Sequence, residues 1–260
     1  MATRKKKIEL APATMSEADG VRYLHLGTPW VQGAMRVRKP HVLELEYIQR
    51  MMAWMLFRDE AVVTEGHAVQ LGLGAAAMTR FCHRNLRMKT TAVELNPTVI
   101  TACRLWFHLP EDDARLHVRN EDAAAFAADP AHHDTVDVLN VDLYDHDAAS
   151  PVLDDEGFYR NCRALLRDGG VMTVNLFGRD ASFERSARRL AAVFGADALR
   201  SLRPTKEGNT IVVAGKESFA NLNRDTLARR AENIETRFEL PARKWLRMIR
   251  VLPAESLPSP

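Results

Sequence analysis

Cysteine is scarce in this chain of 260 residues. Cys82, Cys103 and Cys162 are odd in number, form no C-x-x-C pair and fall in helical patterns, which argues against a disulfide framework and a cysteine metal centre. They read as buried thiols, and the expected location is a reducing cytoplasm. Long apolar runs are missing too. None approaches the roughly eighteen residues of a membrane span, and the basic start (Arg4 to Lys7) has no apolar stretch after it, so neither a membrane segment nor a signal peptide is expected. A charge bias is also lacking: the formal net charge is +2, which does not call for a polyanionic partner. Arg4 to Lys7 are read as a solvated terminus, with no nucleic-acid partner expected. No internal repeat is visible. What is present, 46% hydrophobic and 27% charged residues, fits an ordinary globular protein.

The chain is organised around residues 67–96. A short apolar run ends in Gly72-Leu73-Gly74, a helical pattern follows, and a second apolar run ends in Glu94, twenty positions after Gly74. Glycines at such a turn bring backbone N–H groups close to a ligand, and an acid at the next strand tip can accept from both hydroxyls of a ribose. A nucleoside-containing cofactor is the first inference.

Around this unit the pattern alternates. Residues 1–20 are expected to be a loose basic terminus, and 21–58 a small element of antiparallel strands plus a helix. Residues 59–215 are expected to form the nucleoside-binding domain, and 216–260 a helical extension ending in a proline-rich tail. Asn96-Pro97 has the composition of a helix start. Strands are expected at 116–118, 136–141 and 171–177, with Gly169-Gly170 closing the helix before the last of these. The acids at 154–156 suit a helix N-terminus, and Arg185, Arg188 and Arg189 a solvated helix face. Leu199–Leu202 and Thr210–Ala214 are two further strands, joined by a turn around Gly208-Asn209. Alternating strands and helices imply an α/β fold with a mostly parallel sheet. The final hairpin points to the seven-stranded, Rossmann-like sheet of S-adenosylmethionine-dependent transferases. The stripe Arg243 to Arg250 is expected to form a helix docked on the core or on a second subunit, which leaves a homodimer open. A membrane surface is the less favoured place for it.

Three acids end three strands: Glu94, Asp122 and Asp142. In a parallel sheet those ends share one crevice. Glu94 is placed for ribose hydroxyls, Asp122 for an adenine amino group, and Asp142 for the reacting end of the ligand. Asp145 and Asp147 follow Asp142 with no helix to serve, and carboxylates lining a crevice suit a cationic amine.

The motifs L-G-L-G-A, V-E-L-N-P, N-E-D-A-A-A-F, D-V-L-N-V-D-L-Y-D and G-F-Y-R-N-C-R-A-L-L-R-D-G-G-V together resemble the polyamine aminopropyltransferase (spermidine synthase) family, in its short bacterial form. The resemblance runs from about Tyr23 to about Phe177. It implies that Glu94 binds ribose, Asp122 binds adenine, Asp142 positions and deprotonates the attacking amine, and Asp145 also holds amino groups. It further implies a nucleoside contact for Gln32. Tyr144 is a candidate to orient the amine, and Gly72 and Gly74 form the ligand loop. The expected reaction moves an aminopropyl group from decarboxylated S-adenosylmethionine to an amine such as putrescine, with no metal. The alternatives are a methyltransferase using S-adenosylmethionine itself and a nucleoside-binding homologue without turnover. Two departures stand out. Ala75 occupies the place of an aspartate that in the family grips the donor's aminopropyl amine. Ile48-Gln49-Arg50-Met51 replaces a Y-H-E-M helix start, with Tyr47 one position early. An Arg50 facing the crevice would oppose a cationic substrate.

Overall fold

The computed structural model describes residues 10–143, 151–177 and 181–252. Arg4 to Lys7, Tyr144, Asp145 and Asp147 lie outside the described residues. The chain begins with a three-stranded antiparallel sheet, β1 (Ala13–Ala18), β2 (Val21–Leu26) and β3 (Gly33–Arg36). The expected loose segment therefore contains a strand. Its signal was Asp19-Gly20, whose positive φ values (51° and 72°) make the two-residue hairpin turn that Asp-Gly favours.

A second sheet has eight strands in the order β11-β9-β10-β8-β7-β4-β5-β6. β4 (His67–Leu71), β5 (Lys89–Glu94), β6 (Leu116–Asn120), β7 (Val136–Val141) and β8 (Leu166–Phe177) run parallel. β9 (Leu199–Leu202) and β10 (Asn209–Gly215) form the expected hairpin, with β10 antiparallel to both β8 and β9. The eighth strand is β11 (Ile249–Val251), paired antiparallel with β9, where a continuing helix was expected. The helix α8 (Ala242–Leu246) is only five residues long. It stops once Trp245 is buried, and the backbone N–H of Arg203 then bonds the Met248 carbonyl (3.0 Å). The basic stripe does not lie on the surface as one amphipathic helix. No helix among the described residues is long and apolar enough to cross a membrane.

Each strand sends alternate side chains to opposite faces, so β7, covered on both sides, is buried along its whole length. On one face Ala68, Val138, Ile211 and Val213 pack against α1 (Glu46–Met51) and the 3₁₀ turn Met52–Leu56. That segment is apolar all round because α7 (Arg224–Phe238), α8 and the link between them cover its other side with Ile234, Trp245 and Leu240. On the opposite face Val69, Leu139, Val174 and Val212 meet α4 (Ala123–Ala128), α5 (Glu156–Leu165) and α6 (Ala181–Phe194). A third cluster joins Leu24 and Met35 of the small sheet to Leu73, Ala75, Ala76 and α3 (Pro97–Trp106), directly behind the glycine turn.

The three thiols are buried, and burial holds each above the usual thiol range, Cys82 up to about 12. Gly169-Gly170 does not close α5. Both lie inside β8 next to a register irregularity opposite Val136 and Val138, and a Cβ on Gly170 would stand 2.7 Å from the Arg167 carbonyl. Asp155 caps α5, accepting from the Gly157 N–H (2.7 Å), as expected of the acids at 154–156. Asp154 instead receives Ser186 (3.1 Å) and the cations of Arg185 and Arg189, so those arginines are not simply solvated.

Candidate active site

β4 lies between β7 and β5, and the chain leaves it toward β5 before returning to β7 on its other side. A crevice at the carboxyl ends follows from that reversal. Its floor is the turn after β4. Gly72 sits at φ +86°, its N–H donates to the Val93 carbonyl (2.9 Å), and a Cβ there would collide with the Asp142 carbonyl oxygen. The Asp142 N–H donates back to the Leu71 carbonyl (2.9 Å). The tips of β4, β5 and β7 are thus tied together at Leu71 and Gly72, and only glycine fits at 72.

The turn is braced from beneath. The Cys103 thiol, on α3, meets the Gly74 carbonyl (3.0 Å). Arg80 sits on the short helix α2 (Ala77–Arg80), which continues as a π-helical turn, Phe81–Asn85. It is buried with no carboxylate partner among the described residues and donates to the carbonyls of Ala75, Phe107 and Pro40; burial lowers its pKa to about 10. From above, β3 lies across the turn. The Gln32 carbonyl oxygen is 3.1 Å from where a Gly74 Cβ would stand, and the half-buried Gln32 is anchored by its N–H to the Leu24 carbonyl (2.8 Å). A Cβ on Gly33 would lie 2.5 Å from the Ala75 nitrogen. Gly33→Ala is therefore expected to cost about 1–3 kcal/mol through overpacking against backbone, read as a lowered thermal midpoint. A variant melting with the wild type would show that strand and loop are not in this contact.

Glu94, at the tip of β5, accepts from the Leu73 N–H (2.9 Å) with one carboxylate oxygen and from the Asn96 N–H (2.8 Å) with the other. Burial raises its pKa, opposed by the N–H groups of Asn96, Leu73 and Leu95. The carboxylate is thus fixed in orientation, its two oxygens held by separate N–H groups. Asn96 also caps α3, accepting from the Thr98 N–H (3.0 Å), as its sequence position implied. One strand over, Asn120 pairs with Glu94, and its side chain donates to the Glu94 carbonyl (2.8 Å). Asp122 follows two residues later. It is exposed and caps α4, accepting from the Ala125 N–H (2.9 Å).

Asp142 is half-buried at the tip of β7. Burial raises its pKa, against hydrogen bonds from Asn175 and Tyr47 that favour the ionised form. The Asn175 amide donates to Asp142 Oδ1 (2.9 Å), and the Asn175 oxygen accepts from Asn209 (3.2 Å). These partners were not anticipated. Tyr47 was visible only as a displaced motif residue. Asn175 is an amide within a largely apolar stretch, a position costly unless hydrogen-bonded, whereas Asn209 reads only as part of the hairpin turn. Arg50 does not present its charge to Asp142. Its side chain is 6% exposed and bonded to Glu46 (2.7 Å) and to the Arg203 carbonyl. The structure thus brings Gly72, Gly74, Gln32, Glu94 and Asp142 around one turn, with Asp122 on the neighbouring strand end. Asp145 and Tyr144 lie outside the described residues.

Comparison with known proteins gives the following. Residues 73–213 match the model of the spermine/spermidine synthase domain. A polyamine aminopropyltransferase of Neisseria meningitidis serogroup A is 32% identical over 233 residues, 89% of this chain and 86% of that protein. Among solved structures, a probable spermidine synthase from Corynebacterium glutamicum superposes with a TM-score of 0.69 at 19% identity, covering 100% of both chains. Human methyltransferase-like protein 13 in complex with SAH superposes at 0.65 and 21% identity, over 81% of this chain and 96% of that one. These two likenesses are of fold.

Proposed function

The chain belongs to the spermine/spermidine synthase family and is an aminopropyltransferase by that membership; from this premise we propose that its crevice joins decarboxylated S-adenosylmethionine to a small amine such as putrescine. One observation carries the assignment of the site. Leu73 bonds the Glu94 carboxylate while the adjacent Gly72 packs against the Asp142 backbone carbonyl, so the strand tips that carry the two acids meet consecutive residues of a single turn.

A sulfonium nucleoside supplies a carbon activated by its positively charged sulfur; as the amine nitrogen bonds to that carbon, the carbon–sulfur bond breaks with its electron pair going to sulfur, and a neutral thioether leaves. Glu94 accepts from the ribose hydroxyls with the lone-pair capacity that its backbone N–H partners leave open. Asp122 keeps one oxygen on the α4 cap and offers the other to an adenine amino group, and Gln32 borders the nucleoside from above the turn. Asp142 takes a proton from the incoming ammonium and aims the nitrogen lone pair at the reacting carbon. Its pKa, raised by burial, suits a proton acceptor better than that of a solvated carboxylate would. The bonds from Tyr47 and Asn175 hold it in place. Asp145 is assigned a second grip on amino groups, and Tyr144 the orientation of the amine.

Ala75 favours a second reading, in which the donor is not strictly decarboxylated. It is buried (3% exposed) and packed against Gly33, so this place in the turn offers no carboxylate to attract an amine or repel a donor carboxylate. Decarboxylated and intact S-adenosylmethionine are expected to compete with poor discrimination, because the lost charge-assisted hydrogen bond is worth about ten- to a hundredfold in affinity. Calorimetric competition, with product analysis in the presence of putrescine, tests both readings. Strong preference for the decarboxylated donor removes the second, and binding without any transfer to an amine removes the first. An aspartate at 75 is a poor test, because it would be buried against Gly33.

A further inference from the structure

Behind Asp142 lies a chain of hydrogen bonds whose direction is set at its far end, in the turn of the β9–β10 hairpin. The backbone N–H of Asn209 donates to the Thr205 hydroxyl (3.2 Å). A backbone N–H can only donate, so the hydroxyl accepts there and its own proton goes elsewhere; the Asn209 side-chain oxygen receives it at 3.4 Å. With its oxygen engaged, Asn209 turns its NH₂ to the Asn175 oxygen (3.2 Å), and Asn175 turns its NH₂ to Asp142 (2.9 Å). Thr205, Asn209 and Asn175 are all buried, Asn175 at 1% exposure. An amide at 175 flipped by half a turn would set its oxygen against the carboxylate and its NH₂ against another NH₂.

We propose that Asn175 is a positioning residue for Asp142, its amide held donor-forward by the Thr205–Asn209 turn of the hairpin. The role extends the proposed reaction and rests on Asp142 being its base, yet the hydrogen-bond chain has a consequence independent of turnover. Tyr47 from α1 and Asn175 from β8 are the side chains that bond Asp142, and no charged side chain among the described residues contributes to its shift. Gly72 of the β4 turn, which packs against the Asp142 backbone carbonyl, is neutral. Among the described residues, removing the Asn175 donor therefore leaves Tyr47 and burial to govern the carboxylate.

The experiment follows the Asp142 carboxyl carbon by NMR across pH in the full chain. The resonance is assigned by its loss in Asp142→Asn, and kcat/KM is measured over the same range. Asn175→Leu is expected to move the Asp142 titration and the acid limb of kcat/KM to higher pH together, with kcat about tenfold lower, the size of one charge-assisted hydrogen bond. Methylthioadenosine affinity is expected to stay at the wild-type value. Thr205→Val, nearly isosteric and three links from the carboxylate, is expected to move both in the same direction by less, and it serves if Asn175→Leu does not fold. An Asp142 titration unmoved in the folded variants overturns the proposal. A wild type that transfers nothing to any amine overturns the proposed reaction instead, and leaves the NMR result readable.

Discussion

Asp142→Asn is expected to leave methylthioadenosine bound at the wild-type affinity and to slow the chemical step on the order of a hundredfold or more. An asparagine keeps an oxygen for the Asn175 amide, so geometry is largely retained, but it cannot accept a proton. Single-turnover measurement isolates the step; near-normal rates would place the base elsewhere, with Asp145 the next candidate. The same substitution carries a stability signature. Burial raises the Asp142 pKa above its ordinary value of 3.8. Between that value and the raised one the folded state binds more protons than the unfolded state, so stability is full below the ordinary value and falls as pH rises through the folded pKa. Asp142→Asn removes this loss. Its thermal midpoint is expected to lie above the wild type's at pH 7, by about 2–4 °C per kcal/mol relieved, and the gap is expected to close as the pH approaches the ordinary carboxylate value. A variant less stable than wild type at pH 7 would contradict the cost assigned to the buried carboxylate.

Glu94→Ala is expected to weaken methylthioadenosine binding about a hundredfold, two charge-assisted hydrogen bonds being worth roughly 3 kcal/mol or more together. The structure adds a sharper variant. Because Leu73 and Asn96 donate to the two oxygens separately, a glutamine at 94 must turn its NH₂ toward one of these N–H groups. Glu94→Gln is therefore expected to lose nearly as much affinity as Glu94→Ala, although it is close to isosteric. Titration calorimetry on both variants, with circular dichroism to confirm the fold, provides the check. Wild-type affinity in either would remove the ribose assignment and with it the basis for a nucleoside ligand.

Much of this site was legible along the chain. A glycine turn, an acid at the next strand tip and an Asn-Pro helix start are local patterns, each imposed by backbone geometry over a few residues. The β9–β10 hairpin was legible for the same reason, from Gly208 between two apolar runs. The Asp19-Gly20 hairpin was equally local but was passed over beside a basic terminus. β11 was not local: three residues after a short helix become a strand only because β9 offers an unpaired edge.

The sequence by itself determined the α/β class, the order of the parallel strands and hairpin, the glycine turn and the two acids that flank it. Tertiary structure alone decided what those acids can do. Glu94 has its orientation from the N–H groups of Leu73 and Asn96, and Asp142 from Tyr47 and from an amide chain reaching back to Thr205. Arg50 lost its expected influence on the crevice by finding Glu46 and the Arg203 carbonyl. The physical reason is common to all three: periodicity and turn chemistry act between neighbours in the chain, whereas the donor that orients a buried carboxylate comes from whichever element packing brings beside it.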